Sequence, residues 1–519
     1  MSSNHPELMR TYPNPLLDFI PSAEQYAIER SRASLNRSCS GLHFPHVLAP
    51  WGVPQYSSPY PNYSDREGTM SSGPVSERVV SLRMDCLTVR FLADVITPPR
   101  PCSLYPAQFA MMPLVWAWEY GDRGNLTEVR ERWFPLVKGV SDFFVCWLEL
   151  EEADGLMHDN HDCFAIPGEA GCAVDKKDKT ETLAFVRRSL DVVGEMAAAV
   201  GEPVDPGWAA TRAKLAPYPT GWLHLGGATS RMTSNSTQNC SFCAPFRHDN
   251  PGSSGDCQRA DGPPQVNHCT ASIAGVCPEG TAPCRNHVVG DDAAGDDDHS
   301  GLPSGANSHS IFPAFPADAV GTNSTQWTVP MANTVKFAFP TSKTNSNAFT
   351  KIFSAAARLV GPGLLSADEV YQGWLDTLKA TQQPNGVPFG GGSGFEVVGA
   401  TEYVNYMLLS SDPAGFLGLF EAWPKAGGDA SFDRLRGRGA FVVSSSVAGG
   451  KVGRTTIVSE RGARCTLRRP ASWPKSAVAV TAGSEVASER KNVAIRLTWQ
   501  EDEFFSFDTV AATSYTLVG

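Results

Sequence analysis

Residues 406–465 read YMLLSSDPAGFLGLFEAWPKAGGDASFDRLRGRGAFVVSSSVAGGKVGRTTIVSERGARC. The stretch changes character part-way along. Its first residues close an apolar segment with helical spacing, whereas after about residue 416 the apolar residues fall in short runs that suit β-strands. AFVVSSS (440–446) and VGRTTIV (452–458) flank AGGK (448–451), the composition of a tight hairpin turn. AVAVTA (477–482), VAIRLTW (493–499) and FFSFDTV (504–510) continue the pattern. Residues 416–519 are therefore expected to form an antiparallel β-sandwich domain.

Upstream the periodicity is helical. Residues 107–120 (AQFAMMPLVWAWEY) are apolar on nearly every side, so this helix should be buried. Val137, Val140, Phe144, Trp147 and Leu148 make an apolar stripe on the next. Leu183, Val186, Leu190, Val193, Ala197 and Val200 make another, with Thr180 as the expected N-cap and Gly201 as the stop. A stripe over residues 12–35 and helices at 329–338, 347–360, 366–382 and 397–410 complete the series. With no strands interleaved, residues 1–415 read as a helical bundle or barrel. Residues 228–308 interrupt it as a long aperiodic insertion carrying six cysteines and the acidic run GDDAAGDDDH.

Composition narrows the function classes. Asp and Glu (54) outnumber Lys and Arg (43), giving a net charge of -11. That balance argues against a nucleic-acid binder or a protein held on an anionic membrane. No apolar run approaches about 18 residues, which excludes a transmembrane helix from the reading.

Thirteen cysteines is a high count for a reducing compartment. Cys240, Cys243, Cys257, Cys269, Cys277 and Cys284 lie in one Gly/Pro/Asn-rich stretch, where disulfides are the expected state. N-x-S/T sites occur at Asn36, Asn62, Asn125, Asn235, Asn239 and Asn323. Together they point to a secreted or secretory-pathway glycoprotein. The first residues, MSSNHPELMRTYPNPLL, lack a basic segment followed by an apolar one, so no signal peptide is read there. Either the protein is intracellular or its natural N-terminus lies further upstream, and the second is the expectation.

The familiar ligand motifs are absent or incomplete. Cys240-x-x-Cys243 opens like a zinc site but has no matching second half. Asp291, Asp292 and Asp296 to Asp298 lack the spacing of a calcium-binding EF-hand loop. PFGGGSGF (388–395) has no Gly-Lys-Ser/Thr after it, so it is not read as a phosphate cradle. No cofactor and no metal are expected.

Two carboxylates stand apart from the rest. Glu169 lies in CFAIPGEAGC, an apolar loop bent by proline and glycine between two strong helices. Glu396 follows the glycine run in GGGSGFEVVG, just before the last long helix. Glycine lets a ligand approach the backbone, and apolar neighbours raise a carboxyl pKa. Two carboxylates on loops at one end of a helical barrel suit glycoside hydrolysis: one protonates the leaving oxygen, the other orients a water. A solvated loop residue is the competing reading for each.

The 406–465 stretch closely resembles the end of the barrel and the start of the C-terminal β domain in glycoside hydrolase family 95. LVWAWEYGDRGNLTEVRERWFPLVKGVSDFFVCWLE (114–149) is similar to that family's helix–loop–helix segment. DGLMHDNHDCFAIPGEAG (154–171) falls where the family has its Ser-Pro-Glu loop, and SHSIFPAFPADAVG (308–321) resembles its Ser-His-Leu segment. The resemblance implies an (α/α)6 barrel, a six-hairpin toroid, flanked by β domains. It further implies inverting exo-hydrolysis of terminal α-L-fucosyl or α-L-galactosyl residues from an oligosaccharide or polysaccharide. Glu169 matches the family's general acid, although Pro167-Gly168-Glu169 replaces Ser-Pro-Glu. Glu396 is the carboxylate nearest the family's general-base aspartate, one position off and one methylene longer. His309 matches a substrate-binding histidine, with a structural imidazole as the alternative. Asn345 and Asn347 precede a helix and face the same cleft or cap the helix. Glu402 is a second-choice base, with a supporting place in the helix as the alternative.

The start of the chain departs most from the family. SNHPEL (3–8) resembles the end of a line that in the family opens with a water-positioning Asn-x-Asn pair. The expectation is that this pair, the N-terminal β domain and the first barrel helix are missing. Two further readings stay open: another six-hairpin glycosidase or phosphorylase with a different sugar, and an inactive, truncated glycan-binding homologue.

Overall fold

The structure is a computed structural model. It describes residues 41–42, 111–121, 123–160, 162–163, 175–224, 285–289, 309–343, 346–388, 396–483 and 493–519. The expected helix at 12–35, the aspartate run and the six cysteines of the insertion lie outside the described residues.

The helical part is built from eight main helices among the described residues. They are α1 (Met112–Tyr120), α2 (Phe134–Trp147), α3 (Thr180–Val200), α4 (Pro206–Lys214), α5 (Thr328–Ala338), α6 (Ser346–Ala357), α7 (Ala367–Thr381) and α8 (Glu402–Leu408). Helix α1 is apolar all round, and of its side chains only Trp116 and Glu119 escape full burial. Helix α3 buries Leu183, Val186, Leu190, Val193, Ala197 and Val200, the stripe read from the sequence. It ends where Gly201 takes a left-handed φ of 74°, its N–H donating to the carbonyls of Ala197 and Ala198. Its start differs from the expectation: Lys179 holds the N-cap position and Thr180 is already helical. These helices share one core with the 309–320 segment, where Phe185, Phe312, Met331, Phe349 and Phe353 are almost wholly buried.

The helix expected over 397–410 is divided. Glu396–Thr401 forms a 3-10 turn, α8 covers Glu402–Leu408, and Leu409–Ser411 is already a strand. The strand prevails because Leu409–Ser411 pairs with Leu417–Leu419.

From Leu409 onward the chain is β. Lys451–Val452, Phe441–Ala448, Thr455–Ser459, Thr513–Val518, Ala479–Gly483 and Val493–Ala494 lie in that order in one sheet. Its seventh strand, Ala430–Gly437, also pairs with Phe441–Ala448. The second sheet runs Thr498–Gln500, Phe504–Phe507, Cys465–Arg468, Leu417–Leu419, Leu409–Ser411. Every pairing is antiparallel except one, Leu467 with Leu417. The AGGK turn is a hairpin: Ala448 pairs with Lys451, and Gly449 and Gly450 take φ of 55° and 74°. Positive φ at both central residues matches the right-handed twist of the strands, and glycine adopts it without penalty. A second core lies between the sheets, with Val443, Ile457, Val480 and Leu517 from one and Leu417, Leu467, Phe505 and Phe507 from the other. Trp423 packs against both cores.

The two parts are joined through polar groups. A helix leaves its last carbonyls without intrahelical partners. At the end of α1, Arg461 donates to the carbonyls of Trp118 (3.2 Å) and Glu119 (3.3 Å), and Arg436 donates to that of Tyr120 (3.4 Å). The Gly439 N–H adds a further bond to the Glu119 carbonyl, at 3.0 Å. Two arginines of the sheet domain, Arg436 on a strand and Arg461 on a bend, thus meet the negative end of the α1 dipole.

Candidate functional site

A polar clamp lies on the described residues to either side of 164–174, the stretch that holds Glu169. Glu149–Leu150 and Met157–His158 form a short ladder whose turn carries Glu151 and Asp154. His158 is buried at its end. Its Nδ1 lies 2.7 Å from the Asp178 carboxylate and its Nε2 2.9 Å from that of Asp154. Asp178 is wholly buried and takes a positive φ of 55°, which aspartate tolerates better than most residues. Its second carboxylate oxygen accepts from the Asp159 N–H at 3.1 Å, and its own N–H donates to the Asp159 carbonyl at 2.7 Å. Asp159 in turn accepts from Trp147 Nε1 at 2.8 Å. The antiparallel pairs Asp162 with Lys176 and Cys163 with Asp175 close the base of the loop. Residues 164–174, between these paired ends, lie outside the described residues. Just beyond, Lys179 and Glu181 are buried and lie 3.7 Å apart.

Three other predicted residues sit on elements that meet at α6. His309 opens the 3-10 turn His309–Ile311, which packs against α3, α5 and α6. Around that turn Phe312 meets Phe185 of α3 at 5.9 Å, and Lys351 of α6 lies 5.3 Å from the Phe312 ring. Asn347 lies in the first turn of α6. Glu396 opens the 3-10 turn packed along α6, so closely that a Cβ on Gly399 would stand 3.3 Å from Thr350. The turns carrying His309 and Glu396 thus both pack on α6, which carries Asn347, while the three side chains lie outside the described residues. Glu169 and Asn345 lie outside the described residues altogether. Glu402, the first residue of α8, is buried and accepts from Asn405 Nδ2 at 3.2 Å.

Glu151, Asp154 and His158 offer ligand atoms within 4.8 Å of one another and could hold a divalent cation. Lys177 competes for that place, its ammonium 2.6 Å from Glu151. The hydrogen bond from Lys177 holds the Glu151 carboxyl below its ordinary range, and the Leu156 N–H does the same for Asp154.

A second charged cluster, unseen in the sequence reading, lies at the junction of helices and sheets. Asp318 is wholly buried and pairs with Arg358, just past the end of α6, and with Arg438 of the sheet domain, and Tyr120 Oη donates to it at 3.3 Å. Arg358 also reaches Tyr406 Oη at 2.7 Å. Arg438 lies 3.2 Å from Glu119, which also pairs with Arg188 of α3. Burial works against the Glu119 charge, but Arg188 and Arg438 hold its carboxyl below the usual range. Nearby, burial pushes the Glu421 carboxyl up against the opposing pull of Arg468. The signal for this cluster was RLRGRG (434–439), whose three arginines are more charge than a strand edge needs and whose last, Arg438, joins the cluster.

No protein-family model matches the chain, and no curated protein matches it. Among solved structures the chain is similar to an alpha-L-rhamnosidase of Streptomyces avermitilis complexed with L-rhamnose. The TM-score is 0.28 at 14% identity, covering 79% of this chain and 32% of that one. The chain thus spans about a third of that enzyme's length. What the described residues define is a helical region followed by a C-terminal domain of two largely antiparallel sheets. Among them, no helix is long and apolar enough to cross a membrane.

Proposed function

We propose that the protein is a glycoside hydrolase that releases terminal α-L-fucosyl or α-L-galactosyl residues with inversion, on a six-hairpin helical barrel. The sequence resemblance to glycoside hydrolase family 95 supplies the reaction. The observation that supports it is that the turns bearing His309 and Glu396 both pack on α6, which bears Asn347, and that the His309 turn also packs on α3. In this reading Glu169 protonates the glycosidic oxygen as the bond to the anomeric carbon breaks. Glu396 takes a proton from a water attacking the opposite face, and the two carboxyls stand about 6.5–9.5 Å apart to admit that water. His309, Asn345 and Asn347 hydrogen-bond the sugar, and Glu402, buried at the start of α8, supports the base.

Glu169→Gln and Glu396→Gln in the full-length protein test these roles. Each should lower turnover of α-L-fucosides by about 100- to 10,000-fold, the usual contribution of a general acid or base. Near-normal turnover in either variant would remove that residue from the mechanism.

A further inference from the structure

The N-x-S/T sites play no part in the proposed reaction, and two of the six lie among the described residues. Asn125 caps the helical turn Leu126–Glu128, its Oδ1 accepting from the Thr127 N–H at 3.0 Å. Asn125, Leu126 and Thr127 are all exposed, and Leu126 presents 44% of its surface to solvent. Capping uses only the amide oxygen, and Asn125 Nδ2 donates to no protein group among the described residues. Asn323 is also exposed, at a turn held from both sides. Thr322 before it donates to Asp412 through its N–H (2.7 Å) and its hydroxyl (2.9 Å). After it, the Ser324 hydroxyl accepts from the Gly321 N–H at 2.8 Å. Both asparagines are therefore exposed, and at Asn125 the fold uses only the amide oxygen.

An independent observation bears on where the chain matures. Cys146, in the last turn of α2, is disulfide-bonded. Structural disulfides persist in oxidising compartments, where N-x-S/T acceptors meet the glycosylation machinery.

We infer that Asn125 and Asn323 are N-glycosylation sites of a chain that matures in an oxidising, secretory compartment. In the transfer, the asparagine Nδ2 loses a proton and bonds to the anomeric carbon of a lipid-diphosphate-linked oligosaccharide. The lipid diphosphate leaves with the electron pair of the broken bond. At Asn125 the product keeps its helix cap, because the amide oxygen is untouched. The inference does not depend on the proposed hydrolase activity.

Peptide mapping of the full chain purified from the cells that make it tests this. The glycans are released by a peptide amidase in heavy-oxygen water, which turns each formerly glycosylated asparagine into labelled aspartate. Labelled aspartate is expected at both 125 and 323, and Cys146 should resist alkylation until the protein is reduced. Thr127→Ala and Thr325→Ala, made in the same cells, should each remove one glycan's mass and leave both asparagines in place. Unmodified asparagine at the two positions, or Cys146 alkylated without reduction, would overturn the inference.

Discussion

Asp318 and Arg438 form a buried ion pair across the junction between the helical region and the sheet domain. The same carboxylate pairs with Arg358, so one buried acid offsets two buried guanidinium groups. Removing it leaves buried Arg358 with no carboxylate partner, only the Tyr406 hydroxyl, and leaves Arg438 with the Glu119 carboxylate alone. Breaking a buried pair from one side costs about 3–5 kcal/mol. Asp318→Ala should therefore lower the denaturation midpoint and separate the helical and sheet transitions, followed by tryptophan fluorescence and far-ultraviolet dichroism. A single transition at the wild-type midpoint would show that the junction draws its stability from elsewhere.

The end of α1 provides a second test of that junction. Arg461→Ala leaves the Trp118 carbonyl without its side-chain donor and the Glu119 carbonyl with the Gly439 N–H alone, a loss of about 1–3 kcal/mol for a buried polar group. Differential scanning calorimetry should register this as a lower Tm. An unchanged Tm would mean that the Gly439 N–H and solvent already satisfy these carbonyls.

Stability at low pH should depend on Glu119. Its carboxyl is lowered in the folded state, so the unfolded chain binds more protons there as the pH falls. The stabilisation is fully present above the unfolded pKa of about 4.3 and is lost as the pH drops through the lower folded value. Urea midpoints measured from neutral pH into the acid range should fall with a slope that Glu119→Gln reduces. Identical slopes for the two proteins would contradict the assignment.

The clamp at the base of the Glu169 loop is testable without any substrate. Asp178→Ala removes the partner of His158 Nδ1 and of the Asp159 N–H, and it places alanine at a positive φ. The loop over residues 164–174 should then be cut faster in limited proteolysis. Asp178→Asn, which keeps an oxygen acceptor and tolerates the left-handed conformation, should restore part of the resistance. Equal cutting of all three proteins would show that the clamp does not govern the loop.

Much of the architecture was legible because it rests on local patterns. The stripes of α2 and α3, the burial of α1 and the AGGK hairpin follow from periodicity and from glycine at positive φ. The division of the 397–410 helix was not legible, because Leu409–Ser411 is drawn into a strand by a partner eight residues further on. The junction cluster was hidden for a similar reason. Asp318 and Arg438 are 120 residues apart in the chain and only the fold joins them. Of the candidate site, the apolar, glycine-rich loops around them singled out Glu169 and Glu396 as unusual carboxylates. The clamp of His158, Asp159 and Asp178 went unnoticed, since its partners are joined across a loop rather than by any motif.

The central claim is inverting hydrolysis of an α-L-fucosyl or α-L-galactosyl bond. Proton nuclear magnetic resonance of the full-length protein acting on an aryl α-L-fucoside, recorded from the first turnovers, tests it most directly. The account predicts that β-L-fucose appears first and the α anomer grows in only by mutarotation. Release of the α anomer first would contradict inversion, and a folded protein that releases no sugar from α-L-fucosides or α-L-galactosides would contradict the proposed activity.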